Sequence, residues 1–309
     1  LLGVLCGVVT MLGVFRGGRS LAGPGTGLLA AAAWVLVSGD LRTQANQPNA
    51  EAFMNAAHVW ALVLLLEAVR PSRRPVLCAA GAGALLGLAA IVKQVSFVLV
   101  PPLAVALFVG LRDVVGWRRA GLSAAAMALV APWAWVAAVA WFALGGHWFD
   151  FRAAMFDFNA HYAALDHGGI LGNIAVGLKP GWLFPAEMLG VLPLQLMALA
   201  GTVAWFVTVR RRGRVQRVRA AMLAASGAAT LLAIAMPGRF YPHYFQLWLP
   251  LLCVVAAAGV AVLAGVAPAM RAARPPVLGG MLLLALAGTQ GPSYLLSPDE
   301  WSAGKYGRQ

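Results

Sequence analysis

Arg239, Tyr241, His243 and Tyr244 fall within six residues of the stretch PGRFYPHYFQLWLPLL at positions 237–252. An arginine guanidinium carries paired donors that suit a phosphate. A histidine and a tyrosine in the first turn of a helix add hydrogen bonds, and the helix dipole favours an anion there. One chemistry open to this group is therefore recognition of a phosphate or pyrophosphate lipid. The other reading is an aromatic belt at the level of lipid headgroups, where tyrosine is ordinary.

Three more groups invite the same question. Lys93 is the only charge in the tight turn IVKQVSF between two short apolar runs. It either snorkels to the headgroups or meets an anionic headgroup directly. Glu51, Asn55 and His58 are spaced i, i+4 and i+7, with Asn49 just ahead of them, so they share one helix face. A polar stripe entering a membrane faces protein or water. It either ties helices together by hydrogen bonds or lines a substrate cavity. Lastly, Trp148, Phe151, Met155, Phe158 and Tyr162 recur at intervals of 3, 4, 3 and 4. That is the apolar stripe of an amphipathic helix lying on a membrane surface, with Asp157 and His161 on its other faces. Such a helix either roofs a cavity or only anchors the surface.

The elements that must position these groups are membrane spans. The chain is 61% hydrophobic and 11% charged, with a mean hydropathy of +0.80. Long apolar runs recur along all 309 residues, which describes a polytopic membrane protein with an all-α fold. Ten spans are expected: 1–15, 21–38, 51–69, 76–91, 95–110, 120–143, 186–209, 219–236, 243–266 and 276–291. Leu1 already lies inside an apolar run, so the expectation is a chain that lacks its true N-terminus. Residues 292–309 are expected to form a short extracytoplasmic tail after a single membrane domain, 1–291. Trp182 and Phe184 are expected at the interface where the chain re-enters the bilayer.

Charge sorts the loops into two sets. Sixteen of the 23 Lys and Arg residues fall in 16–20, 70–75, 111–119, 210–219 and 267–275. Seven fall in the alternate loops, so the first set is expected to be cytoplasmic. Eight of the ten Asp and Glu residues and all five His fall on the other side. Positive-inside sorting does not govern those types, so their excess points to binding or chemistry on the extracytoplasmic face. The net charge of +13 is thereby a topology signal, and nucleic acid is not an expected partner. Cys6, Cys78 and Cys253 lie far apart in or beside apolar runs and read as small apolar fillers.

The order of these features resembles a family. NAE at a span start, GLLGLAAIVKQ, the outer helix with FNAHYA, and GRFYPHYFQLWLPLL are similar to the GT-C membrane glycosyltransferases that use polyprenyl-phosphate sugars. That group includes protein mannosyltransferases and the aminoarabinose transferase of lipid A. The resemblance implies inverting transfer of a sugar from a polyprenyl-phosphate carrier to a lipid, glycan or protein acceptor at the extracytoplasmic face. It puts Lys93 beside the carrier phosphate, Glu51 at the acidic position of an early span, and His243 and Tyr244 at the start of a late one. The catalytic Asp it implies would lie in an outer loop upstream of Leu1.

The residues fit this chemistry on their own terms. A leaving phosphate needs its charge stabilised, which Lys93, Arg239 and His243, aided by Tyr244, can do. An acceptor needs a base, for which Glu51 and Asp157 are weak candidates. Asn49, Asn55, His58, His161 and Tyr241 are expected to wall the cavity. No ligand cluster argues for a metal, no cofactor is expected, and a divalent ion is left open. The expected partners are a polyprenyl-phosphate sugar, an acceptor and the bilayer. The Ala-, Gly- and Arg-rich composition points to a bacterial cytoplasmic membrane. A transporter or flippase is the alternative reading, disfavoured by the lack of internal repeats and mid-span charge. A non-catalytic scaffold subunit is the third.

Overall fold

The computed structural model describes residues 1–70, 74–164, 167–179, 185–208, 213–266 and 275–306. Within them the chain is helical, with no strand. The long helices are α1 (Leu2–Ala22), α2 (Pro24–Val37), α3 (Ala50–Ala68), α4 (Pro75–Val92), α5 (Val100–Val115), α6 (Trp117–Val130) and α7 (Trp133–Leu144). The short α8 (Trp148–Arg152), α9 (Phe158–Ala164) and α10 (Ile170–Gly177) follow. Then come α11 (Leu192–Thr208), α12 (Arg214–Ala235), α13 (Leu249–Val266), α14 (Pro275–Tyr294) and α15 (Pro298–Tyr306). Trp182 and Phe184 lie outside the described residues.

Eight helical stretches among the described residues are long and apolar enough to cross a membrane. The expectation was ten, and the difference has local causes. Gly23, at φ 97°, breaks the chain before Pro24. The resulting helix α2 has 14 residues, a rise of about 21 Å against a hydrocarbon core of about 30 Å. Helix α14 has 20 residues and ends in GTQGPSY, with Pro292 inside it, so it is long but less apolar. It runs through Tyr294, beyond the expected end of the membrane domain at 291. Part of the tail folds as α15, where Ser297 and Glu300 cap each other. The Glu300 carboxylate accepts from the Ser297 backbone N–H and hydroxyl, each at 2.8 Å, and the Ser297 hydroxyl accepts from Glu300 N at 3.3 Å. These donors hold the Glu300 carboxyl below its usual range.

Helices α3 and α13 form the centre. Their apolar windows are 67% and 72% buried, against 22–39% for α1, α4, α5, α6–α7 and α11. The outer helices leave residues such as Val105, Leu129, Phe206 and Leu284 exposed, as lipid-facing surfaces do. Small residues set the closest approaches. A Cβ on Gly83 or Gly87 of α4 would collide with Met127 O of α6 or with Ala131 O just after it, and one on Gly201 of α11 would collide with Gly259 of α13. Small residues at i and i+4 let membrane helices meet backbone to backbone.

The loop 38–49 is pinned by a buried carboxylate. Asp40 is 5% exposed. Its Oδ1 accepts from Thr43 N (2.8 Å), Thr43 Oγ1 (3.0 Å) and Arg42 N (3.1 Å), while Oδ2 accepts from Gln290 Nε2 (3.0 Å). Gln290 also donates to Gly190 O at 2.6 Å, so one residue clips this loop to α14 and to the turn before α11. Asp40→Ala strands four donors at once. The expected loss is about 3 kcal/mol of stability, read as a lowered thermal unfolding midpoint in detergent.

The outer helix departs from the expected stripe. Trp148, Phe151 and Met155 pack inward, and Phe151 is 8% exposed. A π-turn over Ala153–Asp157 then adds a residue to the turn, so phases counted at 3.6 residues slip. Phe156, off the predicted stripe, lies edge-on to Trp135 and Phe151, and Phe158, on it, is 62% exposed.

Candidate functional site

Helix α3 begins the site. Asn49 caps it, its Oδ1 accepting from Ala52 N at 3.0 Å. The same oxygen accepts from Gln246 Nε2 at 3.0 Å, and Gln246 O accepts from Asn55 Nδ2 at 3.2 Å. Gln246 is fully buried in a 3₁₀ turn over Pro242–Trp248 that leads into α13. This clasp joins the start of α3 to the start of α13, and it brings the PHYF segment onto Glu51.

Glu51 is 2% exposed, and its Oε1 receives Lys93 Nζ at 2.6 Å. Lys93 ends α4 in an extended conformation, φ −155° and ψ 121°, which swings its side chain off the helix axis. The ammonium also sits over the Tyr244 ring, 3.6 Å from its centroid. Carboxylate and ring hold the cation from two sides, while 26% of the Lys93 side chain remains exposed. An ammonium has three donors and Glu51 takes one of them, so the arrangement aims the cation while leaving donor capacity for an anion.

Around Tyr244 the aromatic rings close up. His243 stands edge-on to Tyr244 at 4.8 Å and stacks on Tyr241 at 5.7 Å, and Tyr241 meets Tyr244 edge-on at 5.6 Å. Tyr162 reaches in from α9. It is hydrogen-bonded with Tyr244 and carries the Arg239 guanidinium over its ring, 4.7 Å from the centroid. Burial and the neighbouring Tyr244 push the Tyr162 hydroxyl up from its usual range. Gln94 Nε2 donates to Met155 O, which ties the outer helix down beside Lys93. The contacts run Glu51, Lys93, Tyr244, Tyr162, Arg239, and so bring two cations separated by about 145 residues into one aromatic cluster.

The turn that presents Arg239 is strained. Gly238 has φ 74° and Phe240, a non-glycine, φ 47°. Asn173 of α10, fully buried, donates from Nδ2 to Met236 O at 3.0 Å, and its Oδ1 lies 2.5 Å from where a Gly238 Cβ would stand. Gly238→Ala therefore meets both a left-handed backbone and a blocked site. The expected result is a loss of about 1–3 kcal/mol in thermal stability with displacement of Arg239. An Asn173→Gly, Gly238→Ala pair should recover part of it, because it removes the collision but not the backbone strain.

The other sequence candidates separate from this cluster. Asp157 pairs with Arg152 at 3.5 Å, both more than half exposed, so it stands outside the cluster's chain of contacts. His161 is exposed on α9. His58 hydrogen-bonds Ser96 Oγ at 3.0 Å one turn deeper than Asn55, where the two line a cavity of about 30 Å³. The Glu51–Asn55–His58 stripe thus ties α3 to its neighbours at each step. Asn49 and Asn55 belong to the clasp, and Tyr241 is 44% exposed at the rim. Glu51 is engaged by Lys93 and shielded, a geometry that suits holding the cation better than taking an acceptor's proton. Sequence reasoning passed over Gln246 and Tyr162. A lone glutamine in the apolar run FQLWLPLL was the available signal for the first. Tyr162 falls on the apolar stripe of the outer helix, a placement that masks its polar role.

Comparison with known proteins bears on this geometry. Residues 1–137, which include Glu51 and Lys93, match the family model described as dolichyl-phosphate-mannose-protein mannosyltransferase. No curated protein matches the chain in sequence. Among solved structures it is similar to the Archaeoglobus fulgidus oligosaccharyltransferase. For the apo form the TM-score is 0.53 at 15% identity, over 97% of this chain and 44% of that one. For AglB of the same organism in complex with an inhibitory peptide and a dolichol-phosphate, it is 0.55 at 16% identity, over 98% and 44%. The chain shares its fold with these oligosaccharyltransferase chains. It spans under half the length of those oligosaccharyltransferase chains. That likeness and the family-model match agree with the GT-C resemblance carried by its motifs, and the all-α membrane bundle expected of it is the one observed.

Proposed function

We propose that this GT-C bundle transfers a sugar from a polyprenyl-phosphate-linked donor to a lipid, glycan or protein acceptor, with inversion, at the extracytoplasmic face of the membrane. One observation carries the reading. Lys93 is fixed on Glu51 and Tyr244 with about a quarter of its side chain exposed, and it shares an aromatic cluster with Arg239 and His243. A phosphate leaving a sugar gains charge, and cations already aimed at it stabilise that charge without reorganisation. In this reading Glu51 positions Lys93, Arg239 supplies the forked donors, and His243 and Tyr244 shape the pocket. The proposal assigns the acceptor's base to none of these residues and invokes no cofactor.

An apolar cleft supports the lipid part. About 270 Å³ opens between α11, α12 and α13. It runs from Gln195 and Trp248, at the site end of their helices, toward Trp205, Phe206 and Ala220 at the arginine-rich end. Its apolar walls suit a hydrocarbon chain whose phosphate lies near Tyr244, four residues before Trp248. The test is transfer by the full-length protein from a polyprenyl-phosphate sugar in defined membranes. A covalent glycosylated product supports the reading. Movement of the donor across vesicle membranes with no covalent product would favour the flippase alternative.

A further inference from the structure

At the opposite, arginine-rich end of the bundle a second charged cluster is built on α1, α3 and α12. Glu67 is 5% exposed. Its Oε1 receives the Ser20 hydroxyl at 2.8 Å and Arg16 at 3.5 Å, and its Oε2 receives Arg70 at 3.3 Å. Arg219 comes in from α12, 6% exposed, and donates from Nη1 to Ser20 O at 2.7 Å. Its buried Nε has no hydrogen-bond partner. It feels the positive charge of Arg70 as well as the negative charge of Glu67.

Two guanidiniums thus pair with Glu67, and the third, Arg219, joins the cluster through Ser20, whose hydroxyl also binds Glu67. Burying like charges is unfavourable unless a counter-ion joins them, and among the described residues Glu67 is the carboxylate that pairs with this cluster. Arg16 and Arg70 keep 34% and 35% of their side chains exposed, so the cluster is open on their side while Arg219 closes it from within. Forked donors arranged around a point suit a phosphate. The cluster lies at the end of apolar helices with lipid-facing sides, where phosphodiester headgroups are the most concentrated phosphates.

We propose that Arg16, Arg70 and Arg219 form an anion site that takes the phosphate of an anionic lipid headgroup, separate from the donor site at the other end. Glu67 sets the geometry of the three arginines and tempers their charge. Removing one positive charge near a membrane surface lowers affinity about five-fold, the equivalent of about 1 kcal/mol. Removing the Glu67 charge should raise it by a similar factor.

The experiment measures thermal stabilisation and native-mass-spectrometry retention of short-chain phosphatidylglycerol by the full-length protein in neutral detergent. Short-chain phosphatidylcholine and inorganic phosphate are the controls. Phosphatidylglycerol should bind the wild type, Arg70→Gln several-fold more weakly, and Glu67→Gln several-fold more tightly, even though Glu67→Gln lowers the basal melting point. Stabilisation by phosphatidylglycerol but not phosphate identifies a headgroup site. Equal stabilisation by both identifies the free anion as the ligand, which overturns the lipid source. If retention is the same in wild type, Arg70→Gln and Glu67→Gln, the cluster is only a clasp around Glu67 and the proposal fails. None of these readouts depends on sugar transfer.

Discussion

Replacing Lys93 with alanine is expected to lower transfer by about 10²- to 10³-fold, the scale of losing one preorganised donor to a developing charge. It should also lower stability, because Glu51 is left charged and buried without its partner. Breaking a buried ion pair costs about 3–5 kcal/mol, and the partial exposure of Lys93 puts this case at the lower end. The two effects separate in the double variant. Lys93→Ala with Glu51→Ala removes the orphaned charge, so most of the melting point should return while transfer stays low. Recovery of both would show that Lys93 serves only to neutralise Glu51. Glu51→Gln makes the complementary case. It keeps an acceptor for the ammonium, so folding should survive and the loss of transfer should be smaller than for Lys93→Ala.

Arg239→Lys is expected to cut transfer by about 10²-fold with little change in stability. Lysine keeps the charge and can still sit over the Tyr162 ring, a contact of about 0.5–1 kcal/mol at a partly exposed site. What it loses is the planar fork that grips two phosphate oxygens at once. The loss should appear in kcat more than in KM, since the interaction strengthens as the phosphate leaves. Transfer by Arg239→Ala at the wild-type rate would reduce Arg239 to a packing partner of Tyr162. Steady-state kinetics with a soluble short-chain donor measure both variants.

The bundle was readable because membrane spans announce themselves by length and apolarity, properties local in sequence. The segments expected for the ten spans all appear as helices, with the limits of α2 and α14 set by Gly23–Pro24 and by the GTQGP segment. The clustering of histidine and carboxylate on one set of loops was likewise local information. The outer helix was only half legible. Its stripe follows a constant helical phase up to Met155, and the π-turn that resets the phase leaves no mark in composition.

The site shows the same boundary. Residue types alone marked Lys93, Arg239, His243 and Tyr244 as phosphate chemistry, and Glu51 as the carboxylate to watch. Which of them touch is a matter of helix packing. Lys93 meets Glu51 because α3 and α4 lie against each other, and it meets Tyr244 because Gln246 clasps Asn49 and Asn55. Asp157 had the right type and a place in the loops expected outside, yet it pairs with Arg152. The Arg16–Glu67–Arg219 cluster read as loop charge because its members are about 150 residues apart between α3 and α12. Sequence by itself determined the membrane bundle, the sorting of charge between its two ends and the kinds of chemistry available, since each depends on composition and short-range period. Only tertiary structure decided that Glu51 holds Lys93, that Tyr244 and Tyr162 join it to Arg239, and that three arginines gather around Glu67 and Ser20. Those pairings rest on long-range contacts whose energies depend on burial and distance, neither of which is written in local order.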